Sequence, residues 1–533
     1  MPRPERDVDV VVLGTGAAGL TAALTASSQG AEVALLEKSA TVGGTSAVSG
    51  GLVWVPAHDR SPELDLPVDD AMAYLEAQAL GTMDDKLVRV FVETAPEMAN
   101  FVEQHSPTRF EIAEGFPDYK PELPGGKSMG GRSIGPRPFD LADLGEWADL
   151  ITRFPEDFSN VGFDAETRAR LHAGTDSTSR SCVAGTALVA GLLKGVLDNG
   201  VMPQVGVRAR RLELEDGRVR SVVIDHDGMT STIRARHGVV IATGGFEWNE
   251  DLVRTFLRGP MRGPVSPPNN VGDGLVMAME HGAALSNMGE AWWVPTVHIP
   301  GDTIEGQPRH RSVRLERTRP RSIMVNRLGA RFVNEACDYN SMAGAFHYLH
   351  PRDGYVNDPG WIVFDAAHLA RYGFLGVTAD DETPEWFSAS PDLESLARTT
   401  GIDADGLQET VRRWNASVAA DTDPDFGRGA SAYDGWWGDE NASTFAGRTL
   451  GPIDTPPFHA VPLTAGAMGT KGGPSVDRDG RVLHVMGGVI PGLWAAGNAM
   501  GGVTGRAYGG AGGTLAPAMT WGYRAGLSAA RGD

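Results

Sequence analysis

A single tyrosine, Tyr508, sits inside the glycine-rich run GLWAAGNAMGGVTGRAYGGAGGTLAPAMTWGY that spans Gly492 to Tyr523. A phenol can donate and accept a hydrogen bond and ordinarily ionises near pH ~10. The glycines around it let the backbone pass close to whatever it faces. The other end of the chain carries a matching pattern. VVVLGTGAAGLTAA places Gly14, Gly16 and Gly19 directly after an apolar strand and before a helix. Backbone N–H groups at that helix start, Ala17 and Ala18 included, can then face a pyrophosphate with no side chain between. Glu37, the acid that ends the second strand, lies where a ribose hydroxyl contact is expected. Both ends of the polypeptide therefore build one nucleotide site with a phenol beside it.

The elements that must position these residues can be read from periodicity. Asp9–Leu13 reads as a buried strand, Ala17–Gln29 as a helix and Glu32–Glu37 as a second strand, a β-α-β unit that implies a parallel sheet. Helices are expected over Val68–Leu80, Lys86–Gln104 and Gly185–Asn199, within and just beyond a stretch running from Pro62 to Arg180. The Pro/Gly-rich segment Gly115–Pro138 reads as a long functional loop or lid. A hairpin turn is expected at Asp216 and Gly217, and the strand in HGVVIATGG ends on a glycine pair. From about Leu285 the β-α-β rhythm is lost, with strands at Ser322–Asn326 and Trp361–Phe364 and a helix at Leu407–Ala420. A length of 533 residues exceeds one ordinary core. The expected fold is α/β: a Rossmann-like, glutathione-reductase-like domain formed by residues 1–284 and 457–533, with an inserted α+β catalytic domain at 285–456 that caps the substrate.

Composition excludes several classes. The formal net charge of −21 argues against a nucleic-acid partner, whose phosphates need clustered Lys and Arg. Two cysteines, Cys182 and Cys337, are too few for a disulfide framework or a zinc site, so no metal is expected and a reducing, cytoplasmic setting is. Both are expected to be buried thiols. No signal-peptide pattern and no membrane-spanning run are evident, although peripheral membrane contact stays open.

FAD and NAD share the glycine fingerprint, so other residues must choose between them. After Glu37 and Lys38 the chain reads SATVGGTSAVSGG, where Gly43, Gly44, Thr45, Ser46, Gly50 and Gly51 can pass under a pyrophosphate and an isoalloxazine. A nicotinamide domain has no need of that extension. VVIATGG, with Ala242, Thr243 and Gly244, and LWAAGN, with Gly497 and Asn498, resemble the two further segments that flavoproteins of the glutathione-reductase type bring to their cofactor, and Val207, Gly513, Thr514 and Leu515 are further candidate cofactor-binding positions. FAD is therefore expected. No histidine falls between positions 39 and 51 to tether it covalently, so it is expected to be dissociable. No second G-x-G-x-x-G follows a strand, so electrons are expected to leave to a quinone or another carrier rather than to nicotinamide.

Over almost its full length the chain resembles the fumarate reductase and 3-ketosteroid dehydrogenase group of flavoproteins. GAMGTKGG at Gly466–Gly473 has no histidine, and a dicarboxylate would want more cations than Arg506, which disfavours fumarate chemistry. GTKGG, VIPGLWAAGN and RAYGGAGGTLAPAMTWGY are similar to the C-terminal signature of 3-ketosteroid delta-1-dehydrogenases. FPDYKPELPGGKSMGGRSI and RFVNEACDYN are similar to two further segments of that family. The resemblance maps four catalytic positions onto Tyr119, Tyr339, Tyr508 and Gly512.

What it implies is desaturation of the C1–C2 bond of a steroid A ring. The 3-keto oxygen would be held by the Tyr508 hydroxyl and the Gly512 N–H, a suitable oxyanion hole. The C2 proton would go to Tyr339, with Tyr119 beside it, and hydride from C1 to flavin N5. The acid before Tyr339, Asp338, either alters the electrostatics around that phenol or faces solvent. Trp292, Trp293, Val294 and Phe116 are candidates for an apolar substrate slot, against the alternative that they are aromatic core. Rival readings are a delta-4-(5-alpha) ketosteroid dehydrogenase, an enone reductase, a flavin-binding scaffold and a monooxygenase.

Overall fold

The structure, a computed structural model, describes residues 6–61, 63–153 and 181–533. Part of the stretch from Pro62 to Arg180, namely residue 62 and residues 154–180, lies outside the described residues. Two mixed sheets carry the chain. In the first, parallel strands Val33–Leu36, Arg6–Leu13, Met229–Ile241 and Val489–Ala495 lie side by side, with Arg481–Leu483 at the edge. Val11 is flanked by Ala34 and Val239, and Val239 in turn by Leu493, so both termini of the polypeptide share one sheet. Where they pair, Val10–Leu13, Val33–Leu36 and Val239–Ile241 are unbroken apolar runs because both faces are covered. The hairpin Arg208–Glu215 and Arg218–His226 turns at Asp216 and Gly217, both with positive φ (50° and 75°). A second Asp-Gly turn at Asp227 and Gly228 leads into Met229–Ile241.

Helices Ala17–Ser28 and Leu515–Arg531 pack together against this sheet. Their closeness rests on missing side chains. A Cβ on Gly522 would stand 2.4 Å from the Ala18 carbonyl oxygen, and one on Gly526 would stand 2.7 Å from that of Ala22. The helix that follows the glycine loop carrying Tyr508 is thereby locked to the helix that follows the N-terminal glycine loop.

The second sheet is largely antiparallel, in the order Gln307–Ser312, Ala291–Ile304, Phe458–Thr470, Gly360–Asp365, Ser322–Val325. The strand after the Pro456–Pro457 pair thus lies within this sheet, and the next strand of the first sheet after it is Arg481–Leu483. Alternation sorts its core. Met324, Ile362 and Phe364 join one apolar cluster, whereas Ile323, Val325 and Val363 join another on the opposite face with Leu407, Val411 and Trp414 of the helix Ala404–Ala419. The segment expected to be a lid, Gly115–Pro138, is instead built into a wall: its second half is the strand Gly130–Pro136, paired with Phe110–Glu114 and Val53–Trp54. Among the described residues no helix is long and apolar enough to cross a membrane. Cys182 and Cys337 are free; each residue is half-buried, and burial of the thiol pushes both above the ordinary cysteine range.

The helix–helix contact gives a test whose sign is decisive. Alanine is ordinarily better than glycine in a helix by about 1 kcal/mol, but here the added methyl meets backbone, and overpacking typically costs about 1–3 kcal/mol. Gly522→Ala should lower the thermal midpoint measured by circular dichroism; a rise, as helix propensity alone requires, would contradict the packing described.

Candidate active site

Tyr119, Tyr339 and Tyr508 come from three separate stretches and meet at their hydroxyls. Tyr119 Oη lies 2.7 Å from Tyr339 Oη, which lies 3.0 Å from Tyr508 Oη. Thr514 Oγ1 extends the chain, donating to Tyr508 Oη at 3.3 Å. The rings cross at steep angles with centroids 5.0–5.7 Å apart, a favourable aromatic geometry. All three are buried. Burial raises each phenol above its ordinary value, and the neighbouring phenols push Tyr119 and Tyr339 further, so all three keep their protons at neutral pH. The charge of Arg314 works the other way on Tyr339 and Tyr508. Gly512 lines the same cavity with φ +94°, and its N–H has no protein acceptor among the described residues. Gly513 does not line the cavity; a Cβ there would lie 2.8 Å from the Tyr508 ring, so its bare backbone is what admits that ring.

Each phenol is held by a buried charge next to it in sequence or in space. Asp118, beside Tyr119, pairs with Arg132 at 2.6 Å and accepts from Trp54 Nε1 and the Lys127 N–H, while Tyr119 N–H donates to the Gly509 carbonyl. Before Tyr339, Glu335 is fully buried and paired with Arg331 (2.7 Å) and Arg428 (3.1 Å), and Arg331 also pairs with Asp423. Burial alone would raise the Glu335 carboxyl, but the two guanidiniums outweigh it and hold it below the usual carboxylate range. Asp338 is buried rather than solvent-facing; its carboxylate caps the helix Tyr339–Ala345 by accepting the Ser341 N–H at 2.9 Å. Around Tyr508 the anchor is Lys471, whose Nζ donates to the carbonyls of Gly505, Arg506 and Ala507 at 3.1–3.3 Å and lies 4.0 Å from the Trp292 ring centroid. Tyr508 N–H donates to Gln78 Oε1.

The aromatic candidates divide by strand alternation. Trp292 and Val294 join the tyrosine cluster and pack behind Tyr508, Trp292 at 4.8 Å between ring centroids. Trp293 points to the other face, among Phe246, Leu257 and Met261. Phe116 lines the cavity, together with Tyr433 and Trp437, which sequence reasoning missed. The helix carrying Tyr433, Ala432–Trp436, has no motif that would have singled it out.

The same cavity continues to the nucleotide fingerprint. Gly14, Gly16, Ala17 and Ala18 line it; the N–H of Ala17 donates to Ser46 Oγ, while that of Ala18 has no acceptor among the described residues. A Cβ on Gly14 would stand 2.3 Å from the Ala242 carbonyl oxygen. Gly19 serves packing instead, its Cα facing the Gly14 carbonyl, and Gly43 packs on Val189 outside the cavity. Glu37 lines the cavity and accepts from the N–H and hydroxyl of Thr15 and from the Ser39 N–H. Lys38 pairs with Asp273 at 2.8 Å at the cavity edge. Gly44, Thr45, Ser46, Gly50 and Gly51 form one side; Val207, Ala242, Thr243 and Gly244 form another. Gly497, Asn498, Thr514 and Leu515 bring in the C-terminal segment. This glycine-lined trough, with an unpaired helix N–H at one end and the phenols at the other, fits FAD: a pyrophosphate at the helix start and the isoalloxazine toward Gly50, Gly51 and Tyr508. Among the described residues no group of acidic, His or Cys side chains could hold a metal.

The family model described as FAD binding domain matches residues 9–515. A 4-oxocyclohexanecarboxylate 2-dehydrogenase of Sinomonas cyclohexanicum is 39% identical, over 99% of this chain and 93% of its own length. A 3-oxosteroid 1-dehydrogenase of Mycolicibacterium smegmatis is 36% identical, over 98% of this chain and 97% of its own. Among solved structures, 3-ketosteroid delta1-dehydrogenase from Sterolibacterium denitrificans, in complex with 1,4-androstadiene-3,17-dione, superposes with a TM-score of 0.91 at 32% identity, covering 99% of this chain and all of that one. The chain belongs to the FAD-binding flavoproteins of the 3-ketosteroid dehydrogenase and fumarate reductase group. It is an FAD-dependent oxidoreductase acting on CH–CH donors.

Lys471 gives this site a measurable pH signature. Burial brings its ammonium down from 10.5 to about 7, although three carbonyls face its three N–H groups. Between about pH 7 and 10.5 unfolding therefore takes up a proton, so this lysine makes the protein more stable as pH rises through that window. Lys471→Met should melt below the parent protein, because each buried carbonyl left unpaired costs roughly 1–3 kcal/mol. The gap in thermal midpoint should widen from pH 7 to pH 10. A gap that narrows over that range would contradict the burial of the ammonium.

Proposed function

We propose that the protein desaturates a ring ketone at the carbon–carbon bond next to the carbonyl, and that the linked hydroxyls of Tyr119, Tyr339 and Tyr508 beside the open Gly512 N–H are its catalytic groups. That linked set is the observation that carries the reading. Tyr508 keeps its proton, so its O–H can donate to the ketone oxygen, and the Gly512 N–H supplies a second donor from the same loop. Stabilising the charge that develops on that oxygen makes the adjacent C–H more acidic. Tyr339 takes that proton as its own hydroxyl proton passes to Tyr119 at 2.7 Å, whose hydroxyl proton leaves to solvent, so that each phenol ends neutral. FAD, when bound, accepts the hydride equivalent lost from the neighbouring carbon. The protein's own part is to hold the ketone, exclude water with Phe116, Tyr433 and Trp437, and move one proton.

A 3-ketosteroid desaturated at C1–C2 is the polycyclic form of such a substrate, supported by the M. smegmatis and S. denitrificans relatives. A single-ring keto acid is the second form, supported by the Sinomonas relative and by an arginine, Arg314, in the cavity wall. Both use the same ketone-holding and proton-removing groups. Electrons then leave to a quinone or a comparable carrier.

Anaerobic holoenzyme mixed with androst-4-ene-3,17-dione or with 4-oxocyclohexane-1-carboxylate should lose its flavin absorbance, and product analysis should place the new double bond beside the ketone. Tyr508→Phe should keep FAD but lose turnover by about 100-fold or more, the loss expected when an oxyanion donor is removed. Undiminished turnover would exclude that role.

A further inference from the structure

Six arginines fall between positions 309 and 321, and five have partners. Arg309 and Arg311 lie against Asp302, Arg317 donates to the carbonyls of Val313, Glu335 and Cys337, Arg319 donates to the Gly438 carbonyl, and Arg321 pairs with Asp365 and Asp454. Arg314 differs. It lines the cavity that holds the three phenols, its Nε is buried without a hydrogen-bond partner, and its guanidinium makes no ion pair with any described residue. Acids outnumber bases in this chain, 68 to 47, so an arginine is not left unpaired here for want of carboxylates. The one acid beside it, Glu316, accepts the main-chain N–H of Arg314 at 3.2 Å rather than its side chain. The other charged groups of the cavity are engaged: Glu37 by Thr15 and Ser39, Lys38 by Asp273, Asp273 by Arg208, and Arg317 by carbonyls.

A half-buried guanidinium in a cavity wall, its Nε cut off from solvent and without a counter-ion, is under-solvated, and its forked donors match a carboxylate. Its position is also fixed relative to the chemistry. Arg317, three residues on, bonds to carbonyls of Glu335 and Cys337, directly before Tyr339, while Val313 N–H donates to the Pro295 carbonyl. Resting on the ketone-desaturation reading, we infer that Arg314 binds a carboxylate carried by the substrate ring, so that the substrate class is a single-ring oxo-carboxylic acid rather than a neutral polycyclic ketone. The guanidinium would hold one end of the ring while Tyr508 and Gly512 hold the ketone at the other. Its charge, which already acts on Tyr339 and Tyr508, would be neutralised by that same carboxylate.

The test compares 4-oxocyclohexane-1-carboxylate, its methyl ester and androst-4-ene-3,17-dione with holoenzyme and an artificial electron acceptor. The acid should exceed the ester in kcat/KM by about 100-fold, the scale of a buried charge-paired contact. Arg314→Gln should abolish most of that advantage, chiefly through KM; Arg314→Lys should restore part of it. Equal rates for acid and ester, an unchanged acid preference in Arg314→Gln, or a preference for androst-4-ene-3,17-dione over the acid would overturn the inference while leaving ketone desaturation intact. If no ketone is turned over, the desaturation reading itself fails. Acid binding, read from the shift of the flavin spectrum, then decides Arg314 separately: binding lost in Arg314→Gln upholds the carboxylate contact, and binding unaltered removes it.

Discussion

Three buried phenols whose hydroxyls are linked in a chain of hydrogen bonds along one cavity wall are the constraint around which this protein is built. Each hydroxyl needs a partner when buried, and here each finds one in the next, so the set is satisfied only while all three stretches stay in place. Burial also keeps the phenols protonated. In the proposed reaction the phenols would therefore donate to an oxygen that is gaining charge, and proton removal would depend on a relay, not on a free phenolate.

Holding three loops to that tolerance requires stiff supports, and the molecule uses buried ions for all of them. Asp118 with Arg132, Glu335 with Arg331 and Arg428, and Lys471 with three carbonyls each stand next to one tyrosine. Such pairs contribute little net stability, because desolvation offsets attraction, but removing one partner leaves a stranded charge. They fix position. The two glycine loops are tied by a second device, the close crossing of Ala17–Ser28 and Leu515–Arg531 through Gly522 and Gly526. The cofactor trough and the phenols thus line one continuous cavity.

The strand, glycine run and helix at the start were legible because each local signal agreed with the next, and the alternation in Ser322–Val325 and Gly360–Asp365 marked strands whose two faces feed different cores. Flavin binding was legible for the same reason, from the glycines that follow Glu37. Long-range consequences of packing were not. Nothing in GTKGG announces that its lysine is buried under a tryptophan. In a run of six arginines only the tertiary fold tells Arg314 from those with partners. The Pro/Gly content of Gly115–Pro138 suggested a functional loop or lid; its first half is a loop that lines the cavity with Phe116 and Tyr119, whereas the Asp118–Arg132 pair and the strand Gly130–Pro136 build it into a wall. Glycine there serves close approach rather than movement. Trp293 was grouped with Trp292 because they adjoin in sequence, yet in a strand neighbours face opposite sides.

The central claim is that Tyr339 removes the proton beside a ketone held by Tyr508 and Gly512. Its most direct measurement is anaerobic flavin reduction by a ring ketone deuterated at the carbons next to the carbonyl, in the parent protein and in Tyr339→Phe. The account requires slower reduction with the deuterated ketone in the parent, and in Tyr339→Phe a loss of reduction while the ketone still binds. Reduction at the parent rate in Tyr339→Phe, with the isotope effect intact, would contradict it.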